Sequence, residues 1–419
     1  MARMNRSTWS WVLYDWANSA FATTVMAGFF PIFLKQYWSA GSDPTTSTFQ
    51  LGLGNAIAGI IVAALAPVLG AIADRGGVRR KFLLLFTLLG ILMTAGLYFV
   101  EKGDWQLAVT LYVLGTVGFT AGVVFYDALI VDVSAPEQFD FVSGFGYAFG
   151  YLGGGVLFAV NVLMTLKPEI FGLADAAAAV RVSFLMVAVW WAVFCIPLFL
   201  FVEERKPLNA PAIGGAIVQG WKQFLDTFSE IRRLRPIFMF LLAYWFYIDG
   251  VNTVIKMAVD YGLSLGFETS SLITALLLVQ FIGFPAAIAF GWLGEKWGTK
   301  RGIYLAIAVY AAVTVWAYYL DNVTEFFIMA IAIGLVQGGI QSLSRSYYAR
   351  MIPADKSAEF FGFYGMIGKF ATIIGPLLMG WVGVLTGSPR IAIASIAVLF
   401  VIGYVLLTQV DNVDRAARA

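Results

Sequence analysis

The sequence predicts an all-α integral membrane protein with about twelve transmembrane helices in two pseudo-symmetric six-helix bundles. The chain is 60% hydrophobic and only 12% charged, with a mean hydropathy of +0.82, whereas a typical soluble domain is about 25% charged. Apolar runs long enough to cross a bilayer, which takes about 20 helical residues, follow one another along the chain. Motifs of the first half recur in the second half, which is typical of an internally repeated membrane fold.

Charged or Gly- and Pro-rich turns separate the apolar runs. Most Lys and Arg residues fall in turns on one side of the predicted helices, so the positive-inside rule places that side and both termini in the cytoplasm. The basic N-terminus runs into the first span without a small-residue cleavage site, so we expect no removable signal peptide and a multi-pass location in a bacterial inner membrane. The predicted spans are 9–35, 50–73, 82–100, 106–131, 144–166, 180–202, 236–262, 269–293, 302–320, 323–349, 359–385 and 390–409.

The composition argues against several classes of function. A net charge of +2 is too small to indicate nucleic-acid binding. The single cysteine, Cys195, cannot form an internal disulfide. Because the chain has no histidine, His-based metal sites and catalytic triads are excluded, and a proton-coupled step would use a carboxylate. The glycine-rich stretches lie within predicted spans and not between a strand and a helix. We therefore expect neither an enzyme nor a protein with a metal or a cofactor.

The longest predicted cytoplasmic connection, residues 203–235, divides the chain. It separates an N-terminal bundle over residues 1–202 from a C-terminal bundle over residues 236–419. Within the connection, apolar residues recur at spacings of three and four beside Lys and Arg residues, which predicts an amphipathic helix. This helix either lies along the membrane surface or packs under the bundle as a passive strut.

The strongest internal repeat is a loop motif after the second and eighth spans. The sequence GAIADRGGVRR at 70–80 is matched without a gap by GWLGEKWGTKR at 291–301. An acid at the end of a helix meets the negative end of the helix dipole, so it needs a basic neighbour or the N-terminus of another helix. A contact that forms only when the halves close on the cytoplasmic side would act as a gate latch, although ordinary positive-inside anchors would show the same pattern. The gate candidates are Asp74, Arg75, Arg79, Glu295, Lys300 and Arg301.

The seventh predicted span carries polar residues on one face. Asp249, Asn252, Lys256 and Asp260 fall within a sector of roughly 80° at about 100° per residue. Because a charge at the middle of a bilayer costs at least about 2.5 to 3.5 kcal/mol, this face should line a water-filled cavity or meet another polar helix. Lys256 and Asp260 lie nearer the outer end of the span and could instead be solvated rim groups.

The first span carries a matching acid and amide. Asp15 and Asn18 have the same spacing as Asp249 and Asn252, and both pairs lie in the first helix of a predicted half. Two related helices would therefore present matching acid and amide groups to a central cavity.

A further pair of charges is related by the internal repeat. Asp127 and Arg345 are separated by the same offset that aligns Gly144 with Gly362, so they could face each other across the pseudo-twofold axis. They would form an inner-gate ion pair, or Arg345 would bind a carboxylate of the substrate with its planar guanidinium. The alternative is that Arg345 and Arg350 lie close enough to the cytosol to be interfacial.

Other polar residues within the predicted spans are candidates for solute binding. Lys369 lies in the middle of the eleventh span and is a second possible anion partner. Gln341 belongs to a polar stripe on the tenth span. Such a stripe either contacts a solute or holds helices together by hydrogen bonds.

The repeated loop resembles the motif of the major facilitator superfamily, which implies two six-helix bundles and transport by alternating access. Further blocks look like the UMF1 branch, which is related to the Atg22-like vacuolar effluxers. By this resemblance, the fungal relatives imply export of amino acids from a vacuole. The blocks are YDWANSAF at 14–21, FYDAL at 125–129, GGIQSLSRSY at 338–347 and EFFGFYG at 359–365.

These features favour a secondary active transporter for a small polar solute, such as an amino acid or a similar zwitterion or anion. Asp15, Asp127 or Asp249 would hold an ammonium group, and Arg345 or Lys369 would hold a carboxylate. A buried carboxylate also allows coupling to a proton, and another coupling ion remains open. We expect a functional monomer in the lipid bilayer. The alternatives are a carrier of lipids or amphipathic drugs, and a membrane sensor or scaffold that transports nothing.

Overall fold

The computed structural model describes residues 4–40, 44–204, 222, 226–227, 234–371 and 373–410. It does not describe the side chains of residues 44–49, 259, 260, 263, 264, 269, 369 and 384. The predicted amphipathic helix within 203–235 lies largely outside the described residues. The side chains of Asp260 and Lys369 lie outside them as well.

The described residues form helices joined by short turns. The first helix is regular over Arg6–Ala20 and continues with wider, π-type turns over Phe21–Phe29 and Leu34–Trp38. The helices are α1 (Arg6–Trp38), α2 (Pro44–Gly76), α3 (Arg79–Gly96), α4 (Trp105–Ala128), α5 (Phe139–Leu166), α6 (Ala176–Phe201), α7 (Arg235–Ser264), α8 (Thr269–Trp297), α9 (Thr299–Ala317), α10 (Val323–Met351), α11 (Ser357–Phe370), α12 (Ile374–Thr386) and α13 (Pro389–Thr408).

Within the described part of the chain, ten helices are long and apolar enough to cross a membrane. The two predicted spans outside this set, 302–320 and 359–385, coincide with α9 and with α11 followed by α12. Large apolar side chains such as Leu92, Leu200 and Trp381 are exposed on the outside of the bundle, as expected for a surface that faces lipid. The predicted all-α membrane fold is thus confirmed.

Several helices begin where short polar side chains cap their free amide groups. Asn5 accepts a hydrogen bond from Thr8 N at 2.8 Å at the start of α1. Asp175 caps α6 through Ala178 N at 2.7 Å, and Asn322 caps α10 in the same way. Such caps satisfy amides that have no partner within their own helix, so they fix where the spans begin.

The two copies of the repeated loop contain a glycine in the left-handed region. Gly77 has a φ of 57° and Gly298 a φ of 104°. Glycine has no Cβ and adopts positive φ without steric cost. The glycine that the two copies share therefore allows the same sharp turn after α2 and after α8.

Most helices pack mainly within their own half, whereas α11 packs mainly against α2 and α4 of the N-terminal half. The two halves meet where α2 packs against α11, and where α5 packs against α8 and α10. Glycines allow the close approach, because a Cβ added at Gly144 would lie 2.7 Å from Ala287 O, and one added at Gly291 would lie 2.8 Å from Asp140 O. These contacts lie near the end of the bundle that carries the loops 70–80 and 291–301, which we call the repeat-loop end.

Candidate functional site

The side chain of Arg345 on α10 crosses the boundary between the halves. It is 2% exposed. Its Nη1 lies 2.8 Å from Asp127 Oδ1 on α4, its Nε donates to Ser143 Oγ at 2.8 Å, and its Nη2 donates to Ser143 O at 2.9 Å on α5. A guanidinium of the C-terminal half is therefore bound by groups of the N-terminal half.

A second carboxylate lies beside this pair. Asp15 Oδ2 on α1 is 3.6 Å from Arg345 Nη1 and accepts a hydrogen bond from the Tyr126 hydroxyl at 2.8 Å. Asp15 and Asp127 are both buried. Removing one partner from a buried ion pair costs about 3 to 5 kcal/mol, so this cluster opposes separation of the halves.

Three aromatic rings surround the same guanidinium. The Arg345 Cζ lies 4.8 Å from the ring centroid of Trp11, 4.4 Å from that of Tyr147 and 5.6 Å from that of Tyr126. A cation within about 6 Å of such a ring is attracted by the quadrupole of the ring. The site thus combines two carboxylates with three ring faces around one cation.

The first copy of the repeated loop joins the halves at their rim. Asp74 pairs with Arg79 at 2.6 Å, and Arg79 also pairs with Asp132 at 3.0 Å. The Asp74 carboxylate accepts hydrogen bonds from Ala358 N at 3.2 Å and from Glu359 N at 2.8 Å. An acid at the end of α2 therefore caps the positive N-terminus of α11 in the opposite half.

The second copy of the loop makes the reciprocal contact. Glu295 at the end of α8 interacts with the backbone amide of Phe141 in the first turn of α5. Each loop thus places its acid at the start of a helix in the other half. The basic residues differ, since Lys300 donates to Val410 O of its own half at 2.5 Å.

Asp140 and Arg350 form an ion pair that the sequence reasoning missed. Arg350 Nη1 lies 2.9 Å from Asp140 Oδ1, and the hydroxyl of Thr299 donates to Asp140 Oδ2 at 2.7 Å. Ser346 also donates to this carboxylate. A signal was available, because Asp140 lies just before the repeated glycine Gly144, at which the fifth span was predicted to begin.

Asp249 and Asn252 bridge a break in a helix. The chain turns between α11 and α12, and Asp249 accepts hydrogen bonds from Ile374 N and Gly375 N at 3.0 Å each. Asn252 donates to Ala371 O at 3.3 Å on the other side of the break. The acid and amide of α7 therefore satisfy backbone groups that the break exposes, whereas Asp15 belongs to the ion-pair cluster.

The remaining predicted site residues that the structure describes lie outside the ion-pair cluster, either between helices or exposed. Gln341 accepts a hydrogen bond from the Tyr151 hydroxyl at 3.0 Å and so links α10 to α5. Asn18 is buried, and its Nδ2 has no hydrogen-bond partner within the described ranges. The side chains of Lys256, Arg75 and Arg301 are exposed.

Comparison with known proteins identifies the family. A sequence model described as vacuole effluxer Atg22 like matches residues 43–136 and 132–419. The chain belongs to the Atg22-like family. The uncharacterized MFS-type transporter YxiO of Bacillus subtilis is 40% identical to this Atg22-like protein over 415 residues, which cover 98% of this chain and 96% of YxiO.

More distant relatives include fungal proteins. Autophagy-related protein 22 of Yarrowia lipolytica is 26% identical over 302 residues. The match covers 64% of this Atg22-like chain and 50% of the fungal protein.

Solved structures of low sequence identity show the same fold. The human organic anion transporter MFSD10 (TETRAN) has a TM-score of 0.72 at 16% identity, and covers 97% of this chain and 100% of its own. The proton:xylose symporter XylE has a TM-score of 0.71 at 13% identity, with coverages of 97% and 94%. The major facilitator fold is thereby confirmed. Together with the 40% identity to the MFS-type transporter YxiO, it identifies the Atg22-like protein as a multi-pass membrane transporter of this superfamily.

Proposed function

We propose that this Atg22-like transporter moves a small polar solute by alternating access, and that Arg345 bound to Asp127 closes the pathway at the repeat-loop end. The observation that carries the proposal is the enclosure of one buried guanidinium of the C-terminal half by groups of the N-terminal half. Alternating access requires the two halves to separate at one end of the molecule while they close at the other.

Three layers of polar contacts favour the closed arrangement. Arg345 with Asp127 forms the inner layer, Arg350 with Asp140 forms the next, and the acid of each repeated loop, such as Asp74, caps a helix at the rim. Buried pairs are hard to break singly. They therefore favour two discrete arrangements over a gradual opening, and the pathway would be reached from the opposite end in the present state.

The buried charges favour a solute that carries its own charges. An amino acid or a similar zwitterion would present an ammonium group to Asp15 or Asp127. Because two carboxylates share the single guanidinium of Arg345, one proton can bind there without leaving a charge unpaired, which supports proton coupling. The description of the family as vacuole effluxers supports export as the direction of transport.

The test uses the full chain reconstituted in liposomes with an amino-acid panel and an imposed pH gradient. We expect flux of at least one solute and a loss of flux in Arg345→Gln. Spin labels at positions 81 and 301, on opposite halves, should lie farther apart in Arg345→Gln.

Two results would contradict the proposal. The first is an unchanged distance between the labels in Arg345→Gln, which would show that Arg345 does not hold the two halves together at the repeat-loop end. The second is that the native protein transports no solute of the panel, which would refute the proposal that its substrate is an amino acid. A pH response that persists in both Asp15→Asn and Asp127→Asn would exclude coupling through these carboxylates.

A further inference from the structure

The groups that hold the Arg345 guanidinium through the contacts described above belong to the N-terminal half. They comprise two carboxylates, three aromatic rings and a serine. We call this set the cation cage, and it consists of Trp11, Asp15, Tyr126, Asp127, Ser143 and Tyr147.

Much of the cage is held in shape by contacts that do not involve Arg345. The indole Nε1 of Trp11 donates to Tyr126 O at 2.9 Å, and the two rings stack with centroids 4.4 Å apart. The ring of Tyr126 also stacks on Tyr14, whose hydroxyl is 2.7 Å from Thr87 Oγ1. These partners all lie on α1, α3 and α4 of the N-terminal half, so the arrangement persists when α10 moves away.

The chemistry of the cage selects a cation. With Arg345 withdrawn, Asp15 and Asp127 leave two negative charges in a buried setting. Uncompensated buried charge is strongly unfavourable, and the ring faces attract cations and not anions. An anion or a neutral polar group would leave both carboxylates without a counter-charge.

We propose that the cation cage binds a cationic head group of the solute, an ammonium or a guanidinium, and that Arg345 is an internal competitor which fills the cage in the closed state. This proposal rests on the proposed function, because the cage becomes accessible only when the halves separate at the repeat-loop end. A solute whose cation replaces Arg345 removes the inner ion pair of the gate. Binding then shifts the population toward the open state, as a ligand does when it prefers one of two conformations.

The test measures binding to the full chain in detergent with two matched pairs of probes. Choline is compared with its uncharged isostere 3,3-dimethyl-1-butanol, and methylguanidinium is compared with methylurea. The quantity of interest is the ratio of the Kd of the neutral probe to the Kd of the cation. In Arg345→Gln, which removes the competitor, we expect this ratio to rise at least 10-fold over the native protein.

Three further variants separate the cage from general loosening of the gate. Arg350→Gln breaks the neighbouring pair with Asp140 but leaves the cage filled, so its ratio should stay within about 2-fold of the native value, the range expected for sites that share no partner. Arg345→Lys keeps a cation at the position and should also resemble the native protein. Adding Asp127→Asn to Arg345→Gln should abolish the gain.

A second measurement does not depend on a stable Arg345 variant. In the otherwise native chain with spin labels at positions 81 and 301, choline should increase the distance between the labels, and 3,3-dimethyl-1-butanol should not. Three outcomes would each refute the proposed cation binding. They are a ratio that is unchanged in Arg345→Gln, a gain that survives the addition of Asp127→Asn, and equal changes in the label distance with choline and with 3,3-dimethyl-1-butanol. Solute flux without cation preference would refute the cage alone, whereas cation binding without any flux would refute only the proposed function.

Discussion

The capping of the helix break by Asp249 leads to a sharp prediction for Asp249→Ala. The substitution removes the acceptor of two backbone amides, Ile374 N and Gly375 N, each at 3.0 Å. Leaving a buried donor unsatisfied costs about 1 to 3 kcal/mol, and Gly375 is buried whereas Ile374 is half-buried. Taking the full cost for the amide of Gly375 and half of it for the amide of Ile374 gives about 1.5 to 4.5 kcal/mol for the start of α12.

The assay is amide hydrogen exchange of the peptide that spans residues 373–380. Exchange through local opening reports the free energy of that opening, so a loss of about 2 kcal/mol should speed it about 30-fold. Asp249→Asn keeps one oxygen acceptor and should lose about half as much free energy. Asp15→Asn is the matched control, because Asp15 occupies the repeated position in α1 but contacts Tyr126 and Arg345. The reasoning fails if Asp249→Ala changes exchange less than about 3-fold, or no more than Asp15→Asn does, since 2 kcal/mol corresponds to about 30-fold.

Two further predictions concern the repeat-loop end. Gly144→Val should push α5 away from α8, since even its Cβ would lie 2.7 Å from Ala287 O. The distance between spin labels at 81 and 301 should therefore increase. The control is Gly59→Val, where a Cβ meets nothing within 4 Å, and this variant should leave the distance unchanged. Arg350→Ala should destabilise the closed state by about 3 to 5 kcal/mol because it leaves the buried Asp140 without its cation. The repeat-loop end would then open more often, so a cysteine introduced at this end should be alkylated faster. Alkylation at the native rate would show that this pair does not hold the gate.

The membrane fold was predictable because its determinants are local. A run of about 20 apolar residues must form a helix in a bilayer, where every backbone group needs an internal partner. The repeated loop was likewise recognised from the sequence, and in the structure the glycine that its two copies share, Gly77 and Gly298, adopts positive φ in both. The break between α11 and α12 was not predicted, since the apolar run from 359 to 385 continues through it.

The candidate site was predictable only in part. The repeat offset suggested that Asp127 and Arg345 face each other, and the structure places their side chains 2.8 Å apart. The pairing of Arg350 with Asp140 follows no simple offset, because it joins a position on α10 to one on α5 that the repeat does not relate. Partners of this kind depend on how helices pack, which a single sequence does not encode locally.

The sequence by itself determined that this protein is a membrane bundle of two related halves, with acids and amides at equivalent positions in α1 and α7. Only the tertiary structure decided what those acids do. Asp15 meets a guanidinium and a tyrosine hydroxyl, whereas Asp249 meets the free amides of a broken helix. The physical reason is that a buried carboxylate takes the compensating groups its neighbours supply, and those neighbours come from helices far away in the chain.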